Sequence, residues 1–349
     1  MKTDTSGIDT GALAREIRAR YAIPIESLTF VPKGEDAFSF VGTGENGNEV
    51  FVRAQPDAES GKLDLAYRFV DALRSGCDLP EIVAPQPTLH RELAFQSGAF
   101  VISVFPRIAG TSAYERAIDE RHLAHIARVI ARMHDCRCVV MDAPRIVTFT
   151  NPFEAEIREA FILAKTLPDD ATGLQLQTAE LVSRETQDVL DGMRRMHDTV
   201  APVAAKDMAF VPTHGDPNLA NIMIDGDDGI HIIDWGDVGL GPRERDLFFF
   251  VGDDFERFLR RYLSHTGPIN LHLPLFTWYD YLWVFQEIAD YACPILRGTL
   301  QDEEEQHAWE ELQPYLPIRH DAIARNAVAV KQVIRQLASE GLVRETDWD

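Results

Sequence analysis

The sequence predicts an α+β protein in which a small antiparallel sheet lobe precedes a larger helical lobe. Three observations carry this. Strand-like runs broken by turn residues are concentrated in about the first 105 residues, apolar stripes of helical period dominate from Gly110 onward, and one strand-turn-strand unit interrupts them between Phe210 and Phe250. The length of 349 residues suits two lobes, and 45% hydrophobic residues suffice for a large core. With 34 Lys+Arg against 56 Asp+Glu the net charge is −22. So negative a surface argues against nucleic acid or an anionic membrane as partner and favours a cationic or metal-bridged ligand, with solubility alone as the alternative.

The elements follow in order. Leu28 to Pro32 and Phe38 to Val41 are short apolar runs flanking Lys33-Gly-Glu-Asp36, and the turn-rich Gly42 to Asn48 leads into Glu49 to Ala54, giving three consecutive antiparallel strands. One helix follows, with Leu63, Ala66, Phe69, Val70 and Leu73 on one face and Ser75-Gly76 at its end; Leu93 to Phe95 and Phe100 to Phe105 are two further strands. The first lobe therefore spans 1–105 and carries a single helix, 106–110 is a connector, and 111–349 is the helical lobe. There, Ser112-x-x-Glu115 reads as a capping box opening the helix of Leu123, Ile126, Ala127, Ile130 and Met133. A second helix is expected over about Thr178 to His197. Ile222 to Ile224 and Ile230 to Ile233 are strands joined by the Asp225 to Gly229 turn. The N-terminus lacks an apolar signal region and no stretch is long enough to span a bilayer, so a cytoplasmic protein is expected. Four cysteines (Cys77, Cys136, Cys138, Cys293) do not make a disulfide framework and read as reduced, mostly buried thiols.

The chemistry-bearing stretch is His214-Gly-Asp-Pro-Asn-Leu-Ala-Asn221, followed after the hairpin by Ile232-Ile-Asp-Trp235. Folding the hairpin back brings Asp216, Asn221 and Asp234 together. Two carboxylates and an amide oxygen are hard donors suited to Mg²⁺ plus one proton acceptor, the apparatus that phosphoryl transfer needs.

This pattern, H-G-D-x-x-x-x-N and then I-D-W, resembles the catalytic segment of the aminoglycoside phosphotransferase and choline kinase group, whose fold is protein-kinase-like. Gly236 to Leu247 and Tyr281 to Tyr291 look most similar to the spectinomycin-type phosphotransferases of that group. The resemblance is strong over Thr213 to Phe250, looser over Phe30 to His134 and faint from Ala143 to Met208.

It implies a Mg²⁺-dependent kinase using ATP or GTP, with Asp216 as the base and Asn221 and Asp234 as metal ligands. His214 reads as a strut and Asp246 as a carboxylate capping the loop. Ser39 falls in the phosphate-covering segment, and Arg53 stands where the family has a phosphate-binding lysine, a departure because arginine is longer and planar. Lys33 and Lys62 are neighbouring cations. Asp64, ahead of Glu59 and Asp71, is the helix acid expected to pair with Arg53. Pro106 and Ile108 match the hinge that meets the purine edge, with Phe40, Val52 and Ile232 sandwiching the ring. The acceptor, a small cationic polyhydroxylated molecule, is expected to meet Asp237, Asp280, Glu287 and Asp290 with Trp235, Trp278, Tyr279 and Trp283. Two of those four rings are expected to be core. The leading expectation is phosphorylation of an aminoglycoside or aminocyclitol hydroxyl by a monomer or weak dimer, whether in antibiotic resistance or housekeeping. The alternatives are a kinase for choline, an amino alcohol or a sugar amine, and a nucleotide-binding module with little transfer activity.

Overall fold

The computed structural model describes residues 7–32, 37–45, 47–56, 60–137, 143–204 and 208–344. The chain divides into two compact units: Met1–Val147 with Ala209–Phe249 and Arg257–Gly267, and Thr148–Met208 with Phe250–Glu256 and Pro268–Asp349. The mixed α and β architecture with one small antiparallel sheet agrees with the expected fold class.

In the first unit, α1 (Thr10–Tyr21) precedes β1 (Ile25–Val31), β2 (Phe38–Gly44), β3 (Glu49–Pro56), α2 (Ser60–Gly76), β4 (Phe95–Ser97) and β5 (Phe100–Pro106), and the five strands pair antiparallel in the order β1-β2-β3-β5-β4. β1, β2, β3 and β5 overlap the expected runs, whereas β4 begins at Phe95, where the expected strand ended. Helix α1 was not expected: its stripe of Leu13, Ala14, Ile17 and Tyr21 is narrow and interrupted by Arg15, Arg18 and Arg20. Asp9 caps it by accepting the Ala12 amide at 2.8 Å.

Side-chain alternation gives the sheet two distinct faces. Phe38, Phe40, Val52, Ala54, Ile102 and Val104 form one core with α1. The other face carries Phe51, Val101 and Phe105 against Leu63 and Tyr67 of α2. Ser39, Arg53 and Ser103 lie in one cross-strand row on this second face.

After β6 (Gly110–Ser112), helix α3 (Glu120–His134) begins seven residues later than the Ser112 capping box predicts. Ser112 Oγ does accept the Glu115 amide, but only within a turn. The working cap is Asp119, which accepts from the Arg121 and His122 amides while His122 reciprocates. Cys77, just past α2, and Cys136, just past α3, form a disulfide with a Cα–Cα distance of 5.9 Å, which corrects the expectation of reduced thiols; Cys293 is free and buried. Cys138 and the loop Lys33 to Asp36 lie outside the described residues, as does Glu59.

The second unit is helical, with α4 (Glu154–Leu163), α5 (Gly173–Ala204), α8 (Leu273–Arg297), α9 (Asp302–Leu312) and α10 (His320–Ser339). Helix α8 is buried along much of its length, packing on α5, α4, α9 and α10. No helix among the described residues is long and apolar enough to cross a membrane.

Candidate active site

The site is built on short strands of the first unit. β7 (Val211–Thr213) pairs with β10 (Gly239–Gly241), and the loop after β7 runs through a 3-10 turn, Leu219–Asn221, into the hairpin of β8 (Ile222–Asp225) and β9 (Ile230–Ile232). Asp225 closes the hairpin, its Oδ1 accepting the amides of Asp227 and Gly229. β6 adds to the other edge of β8 and approaches so closely that a Cβ on Gly110 would overlap the Ile224 carbonyl. The segment after Pro106 is thereby tied to the hairpin.

His214 is fully buried and is a strut, as expected. Its Nε2 donates to the Ile233 carbonyl at 2.9 Å, its Nδ1 accepts the Asp216 amide at 3.2 Å, and its ring lies 4.3 Å from that of Trp235. Burial lowers its pKa, consistent with this neutral tautomer. Asp246, on the short helix α6 (Glu244–Leu247), caps the loop. Its two oxygens accept the His214 amide at 2.9 Å and the Gly215 amide at 2.8 Å. Gly215 has φ +96°, and a Cβ there would overlap the Arg245 guanidinium, which itself donates to Thr213 Oγ1 and the Asp237 carbonyl.

Asp216 is held from both sides. Asn218 Nδ2 donates to Oδ1 at 2.7 Å and Asn221 Nδ2 donates to Oδ2 at 2.9 Å. Burial pushes its carboxyl up to about 7, Asp234 and Asp237 add to the rise, and the Asn218 hydrogen bond opposes it. A carboxylate poised near neutrality is suited to taking and releasing a proton. With its nitrogen committed to Asp216, Asn221 has its amide oxygen as the remaining donor atom.

Asp234 follows β9 with φ +60°, a left-handed conformation that a non-glycine residue adopts only when its surroundings enforce it. Arg53 Nη1 donates to Asp234 Oδ1 at 2.8 Å. Desolvation opposes ionisation of Asp234, but Arg53 overcomes it and holds the carboxyl below its ordinary value. Asp64, the first choice for the helix acid to pair with Arg53, is instead committed to Arg68 on an exposed face of α2, also at 2.8 Å, in an i,i+4 pair. Helix α2 meets the strands of this face through Tyr67, whose hydroxyl lies 3.0 Å from Ser103 Oγ and 3.3 Å from Gln55 Oε1.

Other sequence candidates separate. Ser39 is buried in the cross-strand row beside Arg53. Phe40 and Val52 point into the α1 core, on the face opposite Arg53, because strand side chains alternate; they cannot sandwich a ring that Arg53's face receives. Phe51, Ile108 and Ile233 are the partly buried apolar residues on the Arg53 face. Pro106 ends β5 opposite Val50. Trp235 and Trp278 are packed away, the first against His214 and the second between Phe149 and Tyr279. Asp237 pairs with Arg145. In the second unit, Asp280 meets Asn326 at 3.5 Å, Glu287 is hydrogen-bonded to Tyr315, and Asp290 is exposed. Burial raises Asp280 to about 6.

The sheet with Arg53, and the hairpin bearing Asp216, Asn221 and Asp234, define a kinase-like phosphotransferase. The chain belongs to the phosphotransferase enzyme family, whose model matches residues 27–282. It is 28% identical over 303 residues to protein StrN of Streptomyces griseus, covering 84% of this chain and 87% of that one. Its fold is similar to that of spectinomycin phosphotransferase APH(9)-Ia in complex with ADP and spectinomycin (TM-score 0.76, 17% identity, 93% of this chain and 99% of that chain). It is also similar to that of a microcompartment-associated aminopropanol kinase (TM-score 0.59, 15% identity, 95% and 98%).

Proposed function

We propose that this phosphotransferase moves the γ-phosphoryl group of ATP or GTP to a hydroxyl of a small cationic aminocyclitol of the spectinomycin type. The observation that carries this reading is Asp216: a carboxylate raised to about 7, oriented by two amides and set in one hairpin with Asn221 and Asp234. Asp216 accepts the proton of the attacking hydroxyl.

The donor set suits Mg²⁺, since Asp234 supplies a carboxylate and Asn221 an amide oxygen, both hard ligands, and substrate phosphates and water complete such sites. When bound, the ion neutralises charge developing on the phosphates. Arg53, beside Ser39, grips phosphate oxygens bidentately, which arginine does and lysine does not. Phe51, Ile108 and Ile233 flank the base, and the main chain at Pro106 and Ile108 meets its edge. Asp280 is the favoured acceptor carboxylate, because an under-paired carboxylate that burial holds near pH 6 gains most from an incoming ammonium. Asp237, Glu287 and Asp290 are weaker candidates.

The test is phosphate transfer from labelled ATP or GTP with Mg²⁺ across aminocyclitols, aminoglycosides and amino alcohols. Labelled aminocyclitol supports the reading; transfer to amino alcohols alone moves the enzyme to a metabolite kinase. Nucleotide binding without any transfer makes it a binding module.

A further inference from the structure

Behind the loop of Asp216, a chain of side chains runs through α3, α6 and α7 (Phe255–Thr266). Asp246, His134 and Tyr262 are all fully or almost fully buried. Arg243 Nη2 donates to Asp135 Oδ1 at 2.7 Å and Nη1 donates to the Tyr262 oxygen at 2.6 Å. Tyr262 Oη lies 2.8 Å from His134 Nδ1, and His134 Nε2 lies 3.0 Å from Asp246 Oδ2.

The direction of every hydrogen bond in this chain is determined. Arg243 has only donors, so Tyr262 accepts from it and its own O–H is left for His134. Burial lowers the pKa of His134, Asp246 opposing, so the ring is neutral, with one N–H. Burial likewise raises Tyr262, which keeps its proton. His134 Nδ1 therefore accepts and Nε2–H donates to Asp246. In the opposite tautomer, a lone pair on Nε2 would face the carboxylate and Nδ1–H would face the Tyr262 proton.

We propose that Tyr262 and His134 are positioning residues for the transfer reaction: Tyr262, accepting from Arg243 and donating to Nδ1, holds the ring of His134, whose Nε2–H orients Asp246, which holds the His214 and Gly215 amides immediately ahead of Asp216. This inference rests on the reading of Asp216 as the base. A group that supplies only packing would not depend on the Tyr262 hydroxyl. The analogous logic, a histidine whose ring is oriented by the partner of its second nitrogen, recurs wherever one ring nitrogen must act on a defined neighbour.

The test uses the full chain with ATP and Mg²⁺, measuring phosphate release to water and transfer to spectinomycin, together with ¹⁵N-histidine NMR. Tyr262→Phe is expected to lower turnover about tenfold, the scale on which supporting hydrogen-bond partners act, while the KM for ATP stays within about twofold. Its His134 should keep the Nε2–H tautomer that Asp246 demands, while the Nδ1 signal moves downfield as the hydrogen bond it accepts is lost. His134→Gln keeps an amide N–H for Asp246 and an oxygen for Tyr262 and should retain most activity, whereas His134→Leu should not. Because leucine offers the hydroxyl no acceptor, adding Tyr262→Phe to His134→Leu should cost less than about threefold. Equal losses from Tyr262→Phe in wild type and in His134→Leu, or an unmoved His134 Nδ1 signal, would overturn the proposal. Asp216→Asn separates the two levels: wild-type turnover in that variant removes the base itself, while an inactive Asp216→Asn beside a fully active Tyr262→Phe removes only the relay.

Discussion

Arg53 Nη1 stands 2.8 Å from Asp234 Oδ1, joining the cation proposed for phosphate to the carboxylate proposed for the metal. Asp64, by contrast, is engaged by Arg68. Arg53→Ala should weaken MgADP binding roughly tenfold or more, the scale of a charge-assisted hydrogen bond, as read by isothermal titration. Unchanged affinity in both Arg53→Ala and Arg53→Lys would remove the anchoring role.

The pH dependence follows from Asp216. Its pKa of about 7 means that kcat/KM of the free enzyme should rise with pH through a limb near 7, since the base must be ionised. Stability runs the other way. The folded pKa lies above the ordinary 3.8, so between these values the unfolded chain has released a proton that the folded chain keeps, and stability falls as pH rises through that window. Asp216→Asn should therefore gain stability relative to wild type between pH 4 and pH 8 while losing activity, a comparison that chemical denaturation at the two pH values checks directly.

The Cys77–Cys136 disulfide closes a loop with a sequence separation of 59 residues, for which the chain-entropy estimate is about 4 kcal/mol. Reduction by dithiothreitol should lower the melting temperature, and Cys77→Ser should show the same lowered value with or without reductant. A melting temperature unmoved by reductant in wild type would mean that the thiols are not bonded in solution.

Asp280, held near 6 by burial with the Asn326 amide opposing, makes a prediction for the acceptor. Asp280→Asn should raise the acceptor KM and leave the ATP KM unchanged. In wild type the acceptor KM should climb as pH falls below 6, where the carboxylate takes up its proton. Parallel rises in both KM values would contradict a specific acceptor contact.

What the sequence revealed follows the range of the interactions involved. Asp216, Asn221 and Asp234 lie within one loop and hairpin, so their convergence was legible from turn chemistry alone. Strands β2, β3 and β5 were equally legible from apolar runs between turns. Parity should have separated Phe40 and Val52 from Arg53, because neighbouring strand positions point to opposite faces. The Asp64–Arg68 pair also obeys a local helix rule. By contrast, Asp246 meets His134 across 112 positions and Arg53 meets Asp234 across 181, and no periodicity encodes such contacts. Helix α1 was hidden by its arginines, and the true cap of α3 by a competing Ser112 turn.

The proposed role of Asp216 as base in transfer to an aminocyclitol hydroxyl is tested most directly by incubating wild type and Asp216→Asn with γ-labelled ATP, Mg²⁺ and spectinomycin and following label into the acceptor. Labelled spectinomycin from wild type, with a loss of at least about a hundredfold in Asp216→Asn at unchanged ADP affinity, is the predicted result. Equal labelling by both proteins, or none by wild type despite bound nucleotide, would contradict it.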